Sequence, residues 1–252
     1  MVSEINRTLY PHIQTLILIL RRLIMTLTDA IKERHSVRSY TDQKISDESI
    51  SKLQNEIESC NQKGGLHIQL VTEDSKAFDS FMAHYGKFRG VTQYIALIGK
   101  KSSDLDERLG YYGERLALFA QTLGLNTCWA AMSFSKGAAR SKCKIDSGEK
   151  LVCVLALGYG KTQGAAHTSK TIQEVCSVSG KMPEWFYNGV SAALLAPTAM
   201  NQQKFLFTLD GENLVSAKAT GGFYSKVDLG IVKYHFEIGA GADIFSWSSA
   251  AF

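Results

Sequence analysis

Residues 150–160 read KLVCVLALGYG, an apolar run with nothing polar between Leu151 and Leu157 that ends in glycines. Such a run reads as a strand too apolar to leave one face in water. TQYIALIGK at 92–100 is a second strand, more continuously apolar than the alternating LHIQLVT at 66–72 and so expected to be more deeply buried. Helical patterns surround these strands. In SDESISKLQNEIESC, Ser46 is placed to cap a helix over 46–60 whose apolar positions recur at Ile50, Leu53 and Ile57. The longest helical pattern spans 103–126, opens with a Ser-x-x-Asp/Glu signature at Ser103 and closes at Gly124. TCWAAMSF at 127–134 follows it. SVSGKMPEW at 177–185 reads as a junction. Beyond it come a helix ending before Pro197, a strand KFLFTL at 204–209 and a last helix over about 228–241. Helices and strands alternate too loosely for a doubly wound sheet, so the expected class is α+β.

The chain has 252 residues, 45% hydrophobic and 21% charged, enough for one large domain or two small ones with a sizeable core. The net charge of +4 is too small and scattered to imply nucleic acid, and the lysines at 100, 101, 142, 144 and 150 read as solvated faces. Cys60, Cys128, Cys143, Cys153 and Cys176 form no C-x-x-C pair and no zinc pattern with histidine. They read as reduced thiols of a cytoplasmic protein, and nothing selects one as a nucleophile. TLILIL at 15–20 is too short to span a bilayer. Arg21 and Arg22 follow it, where a signal peptide carries its charge in front. The domain is expected to begin near Met25, with residues 1–24 an extension or a misassigned start; an interfacial anchor is the alternative.

Three stretches carry candidate chemistry. ERHSVRSY at 33–40 gathers Arg34, His35, Ser36 and Arg38 at the end of a short helix. Basic residues suit a helix C-terminus, but the same set can also hold an anion such as a phosphate. LALGYGKTQG runs a strand into Gly158, Gly160 and Gly164. No apolar helix follows and Leu155 stands where a P-loop needs glycine, so neither nucleotide fingerprint is met. A glycine turn that lets backbone N–H groups approach a phosphate, with Lys161 and Lys170 nearby, remains open. APTAMNQQ at 196–203 offers Thr198, Asn201, Gln202 and Gln203, which suit either a ring edged with carbonyls and nitrogens or an ordinary turn. His12, His67, His84 and His235 stand alone and read as structural or exposed. A faint echo links LGYYGERLALFAQTLGLNTCW, ending in Trp129, with LGIVKYHFEIGAGADIFSW, ending in Trp247. A chain without an evident catalytic side-chain set suggests chemistry left to a cofactor.

Together these stretches resemble the nitroreductase family of flavin enzymes. RHSVRSY resembles the family's Arg-(Arg/His)-Ser-Val-Arg-x-(Phe/Tyr) opening, and LGLNTCWAA its Leu-Gly-x-x-Thr-Cys-Trp segment. LALGYG resembles its Gly-Tyr-Pro strand end, and LLAPTAMNQQKFLF its Ala-Pro-Ser-x-x-Asn-x-Gln-Pro-Trp segment. Gly160 stands for the family's proline and Lys204-Phe205 for Pro-Trp. The last motif comes late here and early in most of the family, an order that resembles a single-chain subgroup first seen in a thermophilic bacterium. The resemblance implies a central, mostly antiparallel sheet flanked by helices. It implies a C-terminal part standing in for the partner subunit, with halves of about 25–178 and 179–252, in a monomeric pseudo-dimer or a weak homodimer. It implies noncovalent FMN, with NADH or NADPH as donor and a nitroaromatic or quinone as acceptor in a ping-pong order. Arg34, His35 and Ser36 would hold the phosphate and ribityl with Lys161 or Lys170, and Arg38 would reach the N1–O2 edge of the ring. Thr127, Trp129 and Ala130 would border the flavin, with Gly158 and Gly160 in the turn. Pro197, Thr198, Ala199, Met200 and Asn201 would meet the ring or ribityl. No side chain is expected to carry the chemistry itself, and no metal, nucleic acid or membrane is implied. A non-catalytic flavin-binding or scavenging protein and a flavin-free phosphate-binding domain are the alternatives.

Overall fold

The computed structural model describes residues 25–248, and the 1–24 extension lies outside the described residues. Helix α1 (Leu27–Glu33) opens with a reciprocal cap: the Thr26 hydroxyl accepts from the Asp29 amide and the Asp29 carboxylate from the Thr26 amide, both at 3.1 Å. It stops at Arg34, whose backbone turns extended. Helix α2 (Asp47–Gly64) is capped by Ser46 as expected and ends on a left-handed Gly65. Then follow β1 (Gln69–Val71), α3 (Phe81–Tyr85) and β2 (Gln93–Lys100). Helix α4 (Leu105–Thr122) starts at Asp104 and not at Ser103. The Asp104 side chain makes no cap bond; its carboxylate lies 2.9 Å from Nε of Arg108, four residues on. Next come β3 (Asn126–Ala130), α5 (Lys136–Lys142), β4 (Glu149–Gly158), α6 (Ile172–Val175), β5 (Cys176–Val178) and α7 (Glu184–Ala193). A 3₁₀ turn at Ala199–Asn201, β6 (Phe205–Asp210), β7 (Leu214–Ala219), α8 (Ser225–Ala240) and β8 (Ser246–Trp247) complete the order.

The first sheet is antiparallel throughout, in the order β1-β2-β4-β3. Successive side chains of a strand point to opposite faces, which explains the continuous apolar runs. Ile95, Leu97, Leu155 and Leu157 enter one core, while Tyr94, Ala96, Ile98, Val154 and Ala156 enter another with Val37, Tyr40, Phe78 and Phe88. A second sheet, β5-β6-β7-β8, was not read from the sequence as a separate layer. Only its β6–β7 pair is antiparallel. Strand β5 lies at the expected junction, but Cys176 pairs with Phe207, so this end of the first half belongs to the second sheet.

Helix α4 packs on the first sheet, α8 on the second, and the two helices pack on each other. They meet at glycine on both sides. A Cβ on Gly110 would lie 2.0 Å from the Val227 carbonyl oxygen, and one on Gly230 would lie 1.9 Å from that of Glu107. These are the glycines of the two Leu-Gly segments that echo each other in the sequence. The echo therefore marks the crossing point. No helix among the described residues is long and apolar enough to cross a membrane.

Alanine at Gly230 has only backbone to push against, so it should destabilise by about 1–3 kcal/mol or more, roughly 2–4 °C in Tm per kcal/mol. A Cβ at Gly137 in α5 meets nothing within 4 Å, so Gly137→Ala should stabilise by about 0.4–1 kcal/mol. Thermal denaturation of the two variants beside the parent checks both signs.

Candidate functional site

Past Arg34 the chain runs extended between the start of β3 and the loop after β4. Ser36 bridges to Thr127, the Val37 amide donates to the Thr127 carbonyl at 3.1 Å, and Tyr40 bridges to Gly160. The Lys161 amide donates to the Ser39 carbonyl at 2.9 Å. The glycines of the turn permit this approach. A Cβ on Gly160 would sit 2.7 Å from Val37 Cγ1, and one on the left-handed Gly164 would sit 2.7 Å from His35 Cβ. The turn thus lies directly on the Arg34–Ser36 segment, which the sequence left as one possibility among several.

The next segment ties this region to the late PTAMNQQ motif. His167 Nε2 lies 2.9 Å from the Leu194 carbonyl oxygen, which also accepts from the Ser169 hydroxyl at 3.0 Å. Asn201 Nδ2 and Gln203 Nε2 both donate to the Thr168 carbonyl, at 2.9 and 2.8 Å. The Lys170 amide donates to Gln203 Oε1 at 2.9 Å and its ammonium to the Gln203 carbonyl at 3.0 Å. Thr198 takes the Gln203 amide on its hydroxyl at 3.0 Å. Within the turn Met200, Asn201 and Gln203 are all left-handed, with φ of 53°, 53° and 45°. Left-handed non-glycine backbone costs about 1–3 kcal/mol per residue and collects at binding sites. Asp228 of α8 helps hold the turn: it accepts from the Ala199 amide at 2.9 Å and from Gln202 Nε2 at 2.7 Å. Met200 is 92% exposed and Phe223 73%.

Beneath the Arg34 segment lies a charged cluster that the sequence did not reveal. Arg34 is 3% exposed, and Glu114 and His235 are fully buried. Glu114 Oε1 lies 3.4 Å from Arg34 Nε and 2.9 Å from His235 Nε2, and Oε2 accepts from the Trp129 indole at 2.8 Å. Arg34 Nε and Nη1 and the Thr127 hydroxyl have no hydrogen-bond partner among the described residues. Arg34 is therefore turned inward and not laid on the surface as a simple basic clamp. His235, read from sequence as solitary, is part of the same cluster. The available signal was Glu114 itself, an acid on the helix stripe of Gly110, Ala117 and Gln121, where all the neighbours face inward.

The other expected residues lie in several surroundings. Trp129 packs behind, over Gly113, where a Cβ would come within 2.6 Å of its ring. Ala130 is buried in β3, and Gly158 approaches the Tyr40 ring. The Arg38 and Lys161 side chains are exposed. Burial, the Arg34 guanidinium and His167 hold His35 below the ordinary imidazole range, against the opposing pull of Glu33. The cysteines are free, and burial pushes Cys60 up to about 12, so no thiolate is activated there. A groove of about 1100 Å³ runs along Tyr40–Ile45, Thr72–Ser75 and Lys161, touching neither Arg34–Arg38 nor the PTAMNQQ turn. Asp74 in that groove accepts from the Tyr94 hydroxyl and the Lys76 amide, while the Gln93 side-chain oxygen, also in the groove, has no hydrogen-bond partner among the described residues.

Burial raises the Asp228 carboxyl to about 6, despite the bonds from Gln202 and Ala199. Its folded pKa exceeds the unfolded one, so its contribution to stability is complete below about pH 4 and is lost as pH climbs through about 6. The loss is on the order of 2–3 kcal/mol. Asp228→Asn should remove this dependence. Melting curves of parent and variant from pH 3.5 to 7 check it, and a constant difference in Tm across that range would remove Asp228 as the source.

A family model described as "Putative TM nitroreductase" matches residues 26–240. Among solved structures, a putative nitroreductase from Thermotoga maritima is 22% identical, with 85% of this chain and 83% of that one covered at a TM-score of 0.57. A putative nitroreductase from Desulfovibrio desulfuricans, determined in complex with FMN, is 15% identical over 62% of this chain and 98% of that one, at a TM-score of 0.49. An FMN-dependent nitroreductase from Clostridium difficile is 20% identical over 55% and 90% of the two chains, at a TM-score of 0.45. No curated protein matches the chain. The family match takes in the Arg34 segment, the Glu114 cluster, the glycine turn and the PTAMNQQ turn, and the chain belongs to this nitroreductase family.

Proposed function

We propose that the chain is an FMN-dependent oxidoreductase of the cytoplasm. It takes electrons from NADH or NADPH and passes them, in a ping-pong order, to an electron-poor small molecule of the nitroaromatic or quinone type. The observation that carries this reading is the convergence, within one chain, of Arg34–Ser36 and the Pro197–Gln203 turn across Gly164–Lys170. There the buried Arg34 guanidinium leaves Nε and Nη1 without a hydrogen-bond acceptor. Donors left unsatisfied in a protein interior are costly unless a ligand takes them.

The residues fit an FMN phosphate and ribityl chain. Arg34, Arg38 and Lys161 supply positive charge and the Ser36 hydroxyl a hydrogen bond. His35, whose imidazole burial and Arg34 hold below its ordinary range, offers hydrogen bonds. Lys170 and Asn201 also act through the turn. Their side chains bond to Gln203 and Thr168 and so shape the turn. Pro197, Thr198, Ala199 and Met200 present that turn. The exposed Met200 and Phe223 place apolar surface beside it for a planar acceptor. When bound, FMN supplies hydride acceptance and donation at N5. The protein's part is to bind it, orient it and set the charge around it.

Both halves of the site lie in one chain, which supports a single-chain pseudo-dimer. The chain purified and denatured should release FMN, about one per chain, and no FAD. NADH or NADPH should bleach the bound flavin under anaerobic conditions. Bound flavin that neither donor reduces would favour the scavenging alternative, and a colourless protein that takes up no FMN would end the flavin reading. Arg34→Ala should weaken FMN binding roughly 10- to 150-fold, through lost charge-assisted bonds. Asn201→Ala should weaken it less, since it loosens the turn only. A mixture of the two variants should stay inactive. Recovery of activity on subunit exchange would show a site shared between chains.

A further inference from the structure

We propose that Glu114 is the positioning residue of this site: it fixes the Arg34 guanidinium and makes that placement depend on His235, in the C-terminal part of the chain. The inference rests on the flavin reading above and assigns a role to residues outside the Arg34–Arg38 segment and the PTAMNQQ turn.

Both carboxylate oxygens of Glu114 are committed. One meets Arg34 Nε at 3.4 Å and His235 Nε2 at 2.9 Å, and the other accepts from the Trp129 indole at 2.8 Å. A carboxylate held at both oxygens does not rotate, so Arg34 meets a fixed counter-charge. The other ring nitrogen of His235 lies 3.1 Å from the Ala192 carbonyl oxygen, near the end of α7. Two residues on, the Leu194 carbonyl receives His167 and Ser169. The C-terminal part therefore reaches the Arg34 segment twice, across the surface through residues 167–170 and through the interior by way of His235 and Glu114.

The pair is poorly built for stability alone. A buried ion pair repays its desolvation when the remaining protons find acceptors, and a bidentate arginine–carboxylate contact does this best. Here Arg34 makes one long contact and leaves Nε and Nη1 without a hydrogen-bond acceptor. That arrangement suits a group held ready for a second acceptor, the oxygens of a phosphate or ribityl chain. Glu237, in the echoed segment, provides the comparison. It accepts from the Trp247 indole at 2.7 Å and from the Tyr111 hydroxyl, but no arginine of the candidate site rests on it.

The test is a double-mutant cycle read by FMN affinity, measured as quenching of flavin fluorescence on the full chain stripped of flavin, beside the Tm of each variant. Glu114→Gln should weaken FMN binding at least about tenfold in the parent and have no further effect in Arg34→Ala, because coupled residues are not additive. Glu237→Gln should lower Tm and leave the affinity within about twofold, as expected of a residue that supports only the fold. If Glu114→Gln does not fold, His235→Leu replaces it, with a loss of about three- to tenfold that vanishes in Arg34→Ala. An unchanged affinity in Glu114→Gln, or losses that multiply in the double variant, would overturn the proposal. Failure of both single variants to fold would assign Glu114 to the fold alone and overturn it too. A parent chain that binds no FMN would instead refute the flavin reading.

Discussion

Where α4 crosses α8, no side chain separates the two backbones. Gly110 and Gly230 bring carbonyl oxygens to positions that a methyl group would occupy. This contact sets the spacing between the two sheets, because each helix also carries one of them. It brings His235 of α8 within hydrogen-bond reach of Glu114 on α4. A wider crossing would separate these groups and strand a buried charge, which is strongly destabilising. The Arg34–Glu114–His235 cluster thus lies about one turn along each helix from the glycine contact.

A second close approach joins the Arg34 segment to the PTAMNQQ turn. The loop after β4 lies against the Arg34–Tyr40 segment because Gly160 and Gly164 have no side chain to hold it off. The same loop then reaches the PTAMNQQ turn through backbone carbonyls, with Thr168 receiving both Asn201 and Gln203. That turn holds left-handed backbone at Met200, Asn201 and Gln203, and Asp228 and Thr168 together stabilise it. The strained segment is held against residues 168–170 by these side-chain bonds.

Much of the secondary structure was legible in the sequence. Periodicity placed α2, α4 and α8, and unbroken apolar runs placed β2 and β4, because burial on one stripe or on both faces leaves a pattern. The short strands β5, β7 and β8 left none, since they depend on pairing with distant partners. Of the site, the Arg34–Ser36 segment, the glycine turn and the PTAMNQQ motif were visible as local clusters. Glu114 and His235 were not read as a pair: Glu114 stood out only as an acid on an inward-facing stripe, and neither residue names its partner 121 positions away.

The sequence by itself determined the α+β class, the main helices and strands, the motif set that marks the family, and the two Leu-Gly segments that later proved to be a crossing point. Only the tertiary structure decided that Arg34 turns inward to Glu114, that Lys170 and Asn201 bind the chain's own backbone, and that β5 joins the second sheet. The physical reason is range. Helix caps, apolar periods and glycine turns are set by residues a few positions apart, whereas the direction of a buried charge depends on which counter-charge the fold brings to it, here from 80 positions along the chain for Glu114 and from 121 further for His235.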